Sequence, residues 1–164
     1  MILDGIEFSA SEVRKVLQQL FPHRRLVLSQ FTFFNQIGIA RPSGETFRRG
    51  RRCYRVEDIL PIACVLALKE EGIPFKNIEA LPEMVHNAAS KILSTGPGCR
   101  LSGMGEKINL TLPGVENQAA ITSLEDLLNS TSGKIFWSFD IGILATQLQA
   151  VVEIYLQEET RRAA

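Results

Sequence analysis

Residues 41–58, with the sequence RPSGETFRRGRRCYRVED, are the stretch from which we interpret the rest of the chain. It contains six arginines, and Glu45 is the one carboxylate before its last two residues. Gly50 separates two arginine-rich arms, as the turn of a β-hairpin does. Glu57 and Asp58 then open a long apolar pattern, and carboxylates are stabilising at the positive end of a helix dipole. The stretch therefore predicts a basic hairpin joined to a helix start, a shape suited to binding along a phosphate backbone.

Two helical patterns precede the hairpin. Ser9 or Ser11 could cap the first helix, and Ser9 and Glu12 have the spacing of a capping box. Apolar residues at helical spacing follow as far as Phe21. A second helix is predicted over about residues 28–36, with Gly38 as its C-terminal cap. Two short helices and a basic hairpin make a winged helix-turn-helix, whose second helix lies in the major groove. The side chains of that helix with suitable hydrogen-bonding groups are Ser29, Gln30, Thr32 and Asn35. Any single one of them could instead be a solvated helix position.

The hairpin and helix start also resemble a known family. Residues 50–59 (GRRCYRVEDI) resemble the wing of the MerR family of bacterial transcription regulators. Residues 37–43 (IGIARPS) resemble the family's turn out of its recognition helix, and residues 68–78 (LKEEGIPFKNI) resemble its next two-helix segment. The three matches occur in the family's order and cover about residues 8–93. An isolated arginine run is more often a solvated loop, but this context favours a DNA-binding wing.

The resemblance implies particular phosphate contacts. Arg52 and Tyr54 match the wing arginine and tyrosine that contact phosphates in the family. The other arginines of the stretch that we include as candidate contacts are Arg41, Arg48, Arg49 and Arg51. Phe47 and Cys53 are expected to pack the hairpin onto the domain instead.

The second helix departs from the family pattern. Family members often have T-L-R-Y-Y there, whereas residues 30–34 read QFTFF, so that Thr32 replaces a phosphate-binding arginine. Our hypothesis is that Arg24, Arg25 or the additional hairpin arginines compensate for that loss.

The second half of the chain has a different character. Residues 95–105 contain four glycines and a proline, which predicts a linker between a domain at residues 1–94 and another at residues 106–164. Strict alternation over residues 107–112 predicts a strand. A further strand near residues 119–122, a short helix capped by Ser123 and a strand at residues 134–139 are also predicted. The predicted fold is thus mainly α with small β, a MerR-like winged helix-turn-helix followed by a small α+β domain that ends in a long amphipathic helix.

The last helix has an apolar seam with alternating spacings of three and four residues. The residues of the seam are Ile141, Leu144, Leu148, Val151 and Tyr155. The seam could form a dimeric coiled coil or pack on the preceding sheet; two heptads alone favour the second, because coiled coils are identified from three or four. The family resemblance favours a homodimer, since its members bind pseudo-palindromic DNA as dimers that form through C-terminal helices.

Composition limits the remaining possibilities. The net charge is zero, but residues 1–93 carry 13 Lys and Arg against 10 Asp and Glu, and residues 94–164 carry 5 against 8. This asymmetry predicts one half that faces DNA and one that faces something else. The lack of a long apolar run predicts no membrane span, and three widely spaced cysteines predict a reducing, cytoplasmic location. We predict no metal site and no cofactor.

The leading hypothesis is a transcription regulator that binds double-stranded DNA as a homodimer, with RNA polymerase or another protein as a possible partner. One alternative is a protein-binding module in which the same fold meets an acidic partner. Another is an excisionase-like architectural DNA binder. Neither His23 nor His86 belongs to a recognisable catalytic or metal-binding pattern, so we do not expect an enzyme.

Overall fold

The computed structural model describes residues 3, 5–104, 107–113 and 136–164. This part of the chain is mainly helical, with two small antiparallel sheets and a long C-terminal helix, so the predicted fold class is confirmed at that level. In chain order the elements are α1 (Ala10–Leu20), α2 (Leu28–Gln36), β1 (Phe47–Arg48), β2 (Arg51–Arg52), α3 (Val56–Glu70), a 3-10 helix (Phe75–Asn77), α4 (Leu81–Thr95), β3 (Arg100–Met104), β4 (Lys107–Thr111), β5 (Phe136–Asp140) and α5 (Ile141–Ala163).

The start of α1 and the whole of α2 agree with the sequence. The Ser9 N–H donates to the Glu12 carboxylate at 2.6 Å, and the Glu12 N–H donates to Ser9 Oγ at 3.4 Å, which confirms the capping box. Helix α2 has the predicted bounds and buries Phe31 and Phe34. Gly38 follows its C-cap with a φ of 76°, a backbone conformation that glycine adopts without steric cost.

The hairpin has two strands of two residues each. Phe47 pairs with Arg52 and Arg48 pairs with Arg51. Between the strands, Arg49 and Gly50 have φ values of 53° and 72°, as the two central residues of a type I′ turn require. The predicted turn at Gly50 is therefore confirmed.

The base of the hairpin is held by a close backbone approach at Gly44. Its N–H donates to the Cys53 carbonyl at 2.9 Å, and a Cβ at this position would lie 2.6 Å from that same oxygen. Phe8 and Tyr54 exchange two backbone hydrogen bonds, which connect the segment before α1 to the end of the hairpin.

Helix α5 packs against the other helices. It contacts α1, α3 and α4, and the side chains of Ile141, Leu144, Leu148 and Tyr155 are buried in the same hydrophobic core as those helices. Of the two expectations for its seam, packing within the chain is the one observed, although the main partners are helices and not the small sheet. These four side chains are consequently not available to a coiled-coil partner.

Part of the predicted linker is a strand. Residues 100–104 form β3, the central strand of a sheet with the order β4-β3-β5, so the expectation of a linker over residues 95–105 is wrong there. The glycine content that predicted a linker has a packing role at Gly103, because the ring of Trp137 on β5 occupies the space where a Cβ would lie. The division into domains at residues 1–94 and 106–164 stays a prediction.

Two other predictions from the second half can be placed. Strand β4 confirms the strand predicted over residues 107–112 to within one residue. The strand predicted near residues 119–122 and the helix capped by Ser123 lie outside the described residues. Among the helices that the structure describes, none has both the length and the apolar character needed to cross a membrane.

The carboxylate of Asp58 connects the hairpin to α3. Its Oδ2 accepts hydrogen bonds from the Ser43 N–H at 2.8 Å, the Ser43 hydroxyl at 2.9 Å and the Arg55 N–H at 2.8 Å. Its Oδ1 lies 3.6 Å from Nδ1 of His86 on α4. The side chain is fully buried, and the three donors replace at Oδ2 the water that it loses. Oδ1 and Nδ1 of His86 have no hydrogen-bond partner among the described residues.

Replacing Asp58 by alanine should therefore lower the free energy of unfolding by about 3 kcal/mol, because buried donors lose a charged acceptor. Urea unfolding followed by circular dichroism measures the effect. Glu57→Ala is the matched control, since this neighbouring carboxylate has no described hydrogen bond or ion pair, and it should cost about 0.5 kcal/mol or less. Equal losses in the two variants would contradict the assigned role of Asp58.

Candidate nucleic-acid interface

A groove of about 960 Å³ lies between the start of α1, helix α2 and the hairpin. It is open to the surface and brings together seven of the ten side chains predicted to contact DNA. These are Thr32, Asn35, Arg48, Arg49, Arg51, Arg52 and Tyr54. The α1 end of the groove is formed by Ser9, Ala10, Ser11 and Glu12.

The arginines of the hairpin are not equivalent. Arg48 forms an ion pair with Glu12, with 2.7 Å between Nη1 and Oε2. Arg55 lies 3.2 Å from a Glu45 carboxylate oxygen and 3.8 Å from one of Glu7. Arg49 and Arg51 are exposed and, within the described ranges, form no side-chain hydrogen bond or ion pair. The positive charges of the hairpin that lack a carboxylate partner therefore lie mainly around its turn.

The hairpin carries an exposed aromatic ring. Phe47 is 60% exposed, so the expectation that it packs the hairpin onto the domain is wrong. The guanidinium carbon of Arg52 lies 5.6 Å from the centre of the Phe47 ring, within the range of a cation–π contact. Cys53, in contrast, is fully buried as predicted.

Helix α2 contributes Thr32 and Asn35 to the groove, and both are exposed. The Tyr54 hydroxyl donates to Asn35 Oδ1 at 3.2 Å, and Tyr54 itself is 2% exposed. Burial raises the pKa of Tyr54, so its hydroxyl keeps the proton that it donates. Tyr54 thus lies at the base of the groove and orients Asn35, and little of its own surface can reach a phosphate.

Three of the predicted side chains do not line the groove. Ser29 is exposed on α2. Gln30 Oε1 accepts a hydrogen bond from the Val27 N–H at 3.0 Å and so caps the start of that helix. Arg41 donates to the Gly38 carbonyl at 3.2 Å and lies 3.4 Å from a Glu83 carboxylate oxygen, which links the end of α2 to α4.

The two arginines suggested as compensation for Thr32 also differ. Arg24 donates from Nη1 to the Leu66 carbonyl of α3 at 3.0 Å, so this guanidinium has a structural partner. Arg25 is exposed in the turn between α1 and α2. Of the pair, Arg25 is the one whose side chain the described part of the chain leaves unpaired.

Sequence reasoning missed the carboxylates that support the hairpin. Glu7 Oε1 accepts from the Glu45 N–H at 2.6 Å and its Oε2 accepts from the Thr46 N–H at 2.8 Å. These partners are separated from Glu7 by almost 40 residues, and no local pattern marks such a contact. The spacing of Ser9 and Glu12 did identify Glu12, but as a helix cap and not as the partner of Arg48.

Comparison with protein-family models found no match for this chain, and comparison with curated proteins found none either. The resemblance to the MerR family therefore stays a prediction carried by the motifs quoted above. Among the described residues, no group of three or more His, Cys, Asp or Glu side chains is arranged to hold a metal ion.

The role of Glu7 gives a pH-dependent prediction. Hydrogen bonding from the Thr46 side chain, and then from the N–H groups of Thr46 and Glu45, lowers the pKa of Glu7 below its ordinary value of 4.5. A lowered folded-state pKa adds stability that is complete above the unfolded-state value and is lost as the pH falls toward the folded-state value. Glu7→Gln should therefore be less stable than the wild type at neutral pH, and its stability should fall less steeply below about pH 4.5.

Urea unfolding at a series of pH values between about pH 7 and pH 3 tests this expectation. Glu79→Gln serves as the control because Glu79 is exposed and has no described partner, and it should leave the pH dependence unchanged. An acid-induced loss of stability in Glu7→Gln as steep as in the wild type would contradict the assigned role.

Proposed function

We propose that this protein is a DNA-binding transcription regulator with a MerR-like winged helix-turn-helix, in which α2 enters the major groove and the hairpin follows the phosphate backbone. The observation that carries the proposal is the groove between α2 and the hairpin, where Arg49 and Arg51 lie without a carboxylate partner in the described structure. A major groove about 12 Å wide admits one α-helix. In this arrangement a DNA strand passes between the helix and the hairpin.

Charge placement supports phosphate binding at the hairpin. Glu7, Glu12 and Glu45 compensate Arg48 and Arg55 near the body of the protein. The guanidinium groups of Arg49, Arg51 and Arg52 have no such carboxylate partner in the described structure. Arginines in this state gain most from a polyanion, because binding releases counterions from the DNA without breaking ion pairs in the protein.

The exposed face of α2 supports base reading by neutral groups. Residues 26–40 contain no charged side chain. Thr32 and Asn35 offer hydrogen-bonding groups in the groove, and Ser29 offers another from an exposed position on the same helix. The proposal thus assigns affinity mainly to the hairpin and discrimination between bases mainly to α2.

We also propose that the regulator binds as a homodimer, with RNA polymerase or another protein as a further possible partner, and we assign the chain no catalytic role. The predicted seam of α5 is largely buried within the chain, so a dimer contact needs another surface. Ile143 and Ile154 are about half exposed and, being 11 residues apart, lie on one face of α5. We assign the contact with a second subunit to that face.

Replacing Arg49 and Arg51 together by alanine should weaken binding to duplex DNA and reduce its salt dependence. Since each phosphate contact contributes a slope of about −0.9 to the plot of log affinity against log salt, the slope should become flatter by about 1.8. Fluorescence anisotropy with a random-sequence duplex of about 20 base pairs, between about 50 and 200 mM salt, measures it.

The control is Arg161→Ala plus Arg162→Ala, which removes the same number of positive charges from the exposed end of α5, where Arg162 pairs with Glu158 and Glu159. Its slope should remain that of the wild type. An equal change in both double variants would show that only net charge matters. No binding by the folded wild-type protein at low salt would contradict the regulator proposal.

One observation favours a second candidate, a protein-binding module for an acidic partner. Leu28, Phe33 and Ile37 on and beside α2 are each at least 40% exposed, and apolar side chains near arginines are common at protein interfaces. Absence of duplex binding would direct attention to this use of the surface. Bending of a bound duplex without an effect on transcription would instead indicate an excisionase-like architectural role.

A further inference from the structure

The two faces of the hairpin differ in chemistry. Successive residues of a strand point to opposite sides, so the cross-strand pair Arg48 and Arg51 shares one face, and the pair Phe47 and Arg52 shares the other. Arg48, Arg51 and Arg52 line the groove described above, whereas Phe47 is not among its lining residues. The ring of Phe47 is therefore a part of the hairpin that the proposed duplex contact does not use, and Arg52 lies beside both the ring and the groove.

Phe47 is the most exposed of the large apolar side chains that the structure describes, at 60%. Leaving an aromatic ring in water forgoes the free energy that burial would provide. The hairpin fold itself does not depend on the ring, since a type I′ turn and two backbone-paired residues on each side define it. The ring has a cation–π contact with Arg52, whose guanidinium carbon lies 5.6 Å from the ring centre.

We propose that Phe47 and Arg52 form a stacking site for an unpaired nucleobase, with the neighbouring guanidinium groups on the flanking phosphates. A base offers a flat π-surface to the phenyl ring, and sites that combine aromatic rings with arginines bind single strands with little sequence preference. The ligand class is an unstacked base within a phosphodiester chain, which single-stranded DNA, single-stranded RNA or a locally opened duplex can supply. This activity is additional to duplex binding; Arg52 lies beside both surfaces, whereas Phe47 belongs to the stacking site alone.

Charge favours a nucleic acid over an apolar peptide at this face. Arg52 shares the face of Phe47, Arg49 lies in the turn and Arg51 lies on the opposite face; none of the three has a carboxylate partner in the structure as described. A peptide could cover Phe47 but would leave three cations uncompensated unless it were strongly acidic. A nucleic acid supplies a ring and regularly spaced phosphates in one molecule.

The test separates stacking from charge. Fluorescence anisotropy compares two oligomers of about 12 units with equal charge, oligothymidylate and the corresponding abasic chain of sugar phosphates. The wild-type protein should bind the thymidine oligomer about 5- to 150-fold more tightly, the range that one stacked base provides. Phe47→Ala should bind both oligomers alike. Phe47→Leu, which keeps an apolar side chain without a π-surface, should also lose the preference.

Phe33→Ala is the matched control. Phe33 is 54% exposed on α2, and no cation contact to its ring is described. This variant should keep the wild-type preference for the thymidine oligomer. Equal affinity of the wild type for the two oligomers would overturn the proposal, and so would a preference that survives in both Phe47 variants or disappears in Phe33→Ala.

Further titrations identify which kind of nucleic acid supplies the unpaired base. Oligouridylate in place of oligothymidylate distinguishes RNA from DNA, and a preference over the abasic chain with either supports the site. The same protein samples titrated with intact duplex report on the proposed regulator function separately. Loss of duplex binding with retained stacking would overturn only that function, whereas duplex binding without any preference for bases would overturn only this inference.

Discussion

A fully buried carboxylate is the constraint on which the geometry of the groove depends. Asp58 belongs to the first turn of α3, yet its acceptor oxygen holds the backbone of Ser43 before the hairpin and of Arg55 after it. Removing a carboxylate from water is costly unless donors replace the lost hydration. The side chain therefore favours one arrangement of these three segments, which sets where the hairpin begins and ends relative to α3. Gly44 adds a second restraint, since a larger residue there would displace the hairpin base.

A chain of zero net charge can still present a cationic surface when its carboxylates pair with only some of its arginines. Both carboxylate oxygens of Glu7 accept hydrogen bonds from backbone N–H groups of the segment before β1. Glu12 caps α1 and pairs with Arg48, and Glu45 pairs with Arg55. Each of these contacts fixes the base of the hairpin while neutralising cations close to the body. The uncompensated guanidinium groups are consequently those farthest out, where a long polyanion could reach several of them at once.

The structural features that could be predicted from the sequence are those that neighbouring residues determine. The capping box, the bounds of α2 and the turn at Gly50 follow from neighbouring residues, and all three were predicted. The exposure of Phe47 was not predicted. In strands of two residues, the alternation of apolar and polar side chains is too short to show which face is buried. The prediction of a linker from glycine content was wrong around residue 103. Glycine is favoured both in linkers and where another group approaches the backbone closely, as the Trp137 ring does at Gly103. The periodicity of α5 predicted a buried face correctly, but periodicity carries no information about what covers it.

In the proposed function, the uncharged helix α2 and the cationic hairpin would contribute differently to DNA binding. Contacts to phosphates weaken as salt is added, whereas contacts from uncharged side chains to base edges depend on salt very little. Asn35 is a neutral group whose orientation is set by Tyr54, and the backbone of Tyr54 is in turn held by Phe8. This path of contacts ends in the hydrophobic core and does not involve the outer arginines. If the proposed function holds, binding strength and base preference would therefore change independently, with the first set by the hairpin turn and the second by α2.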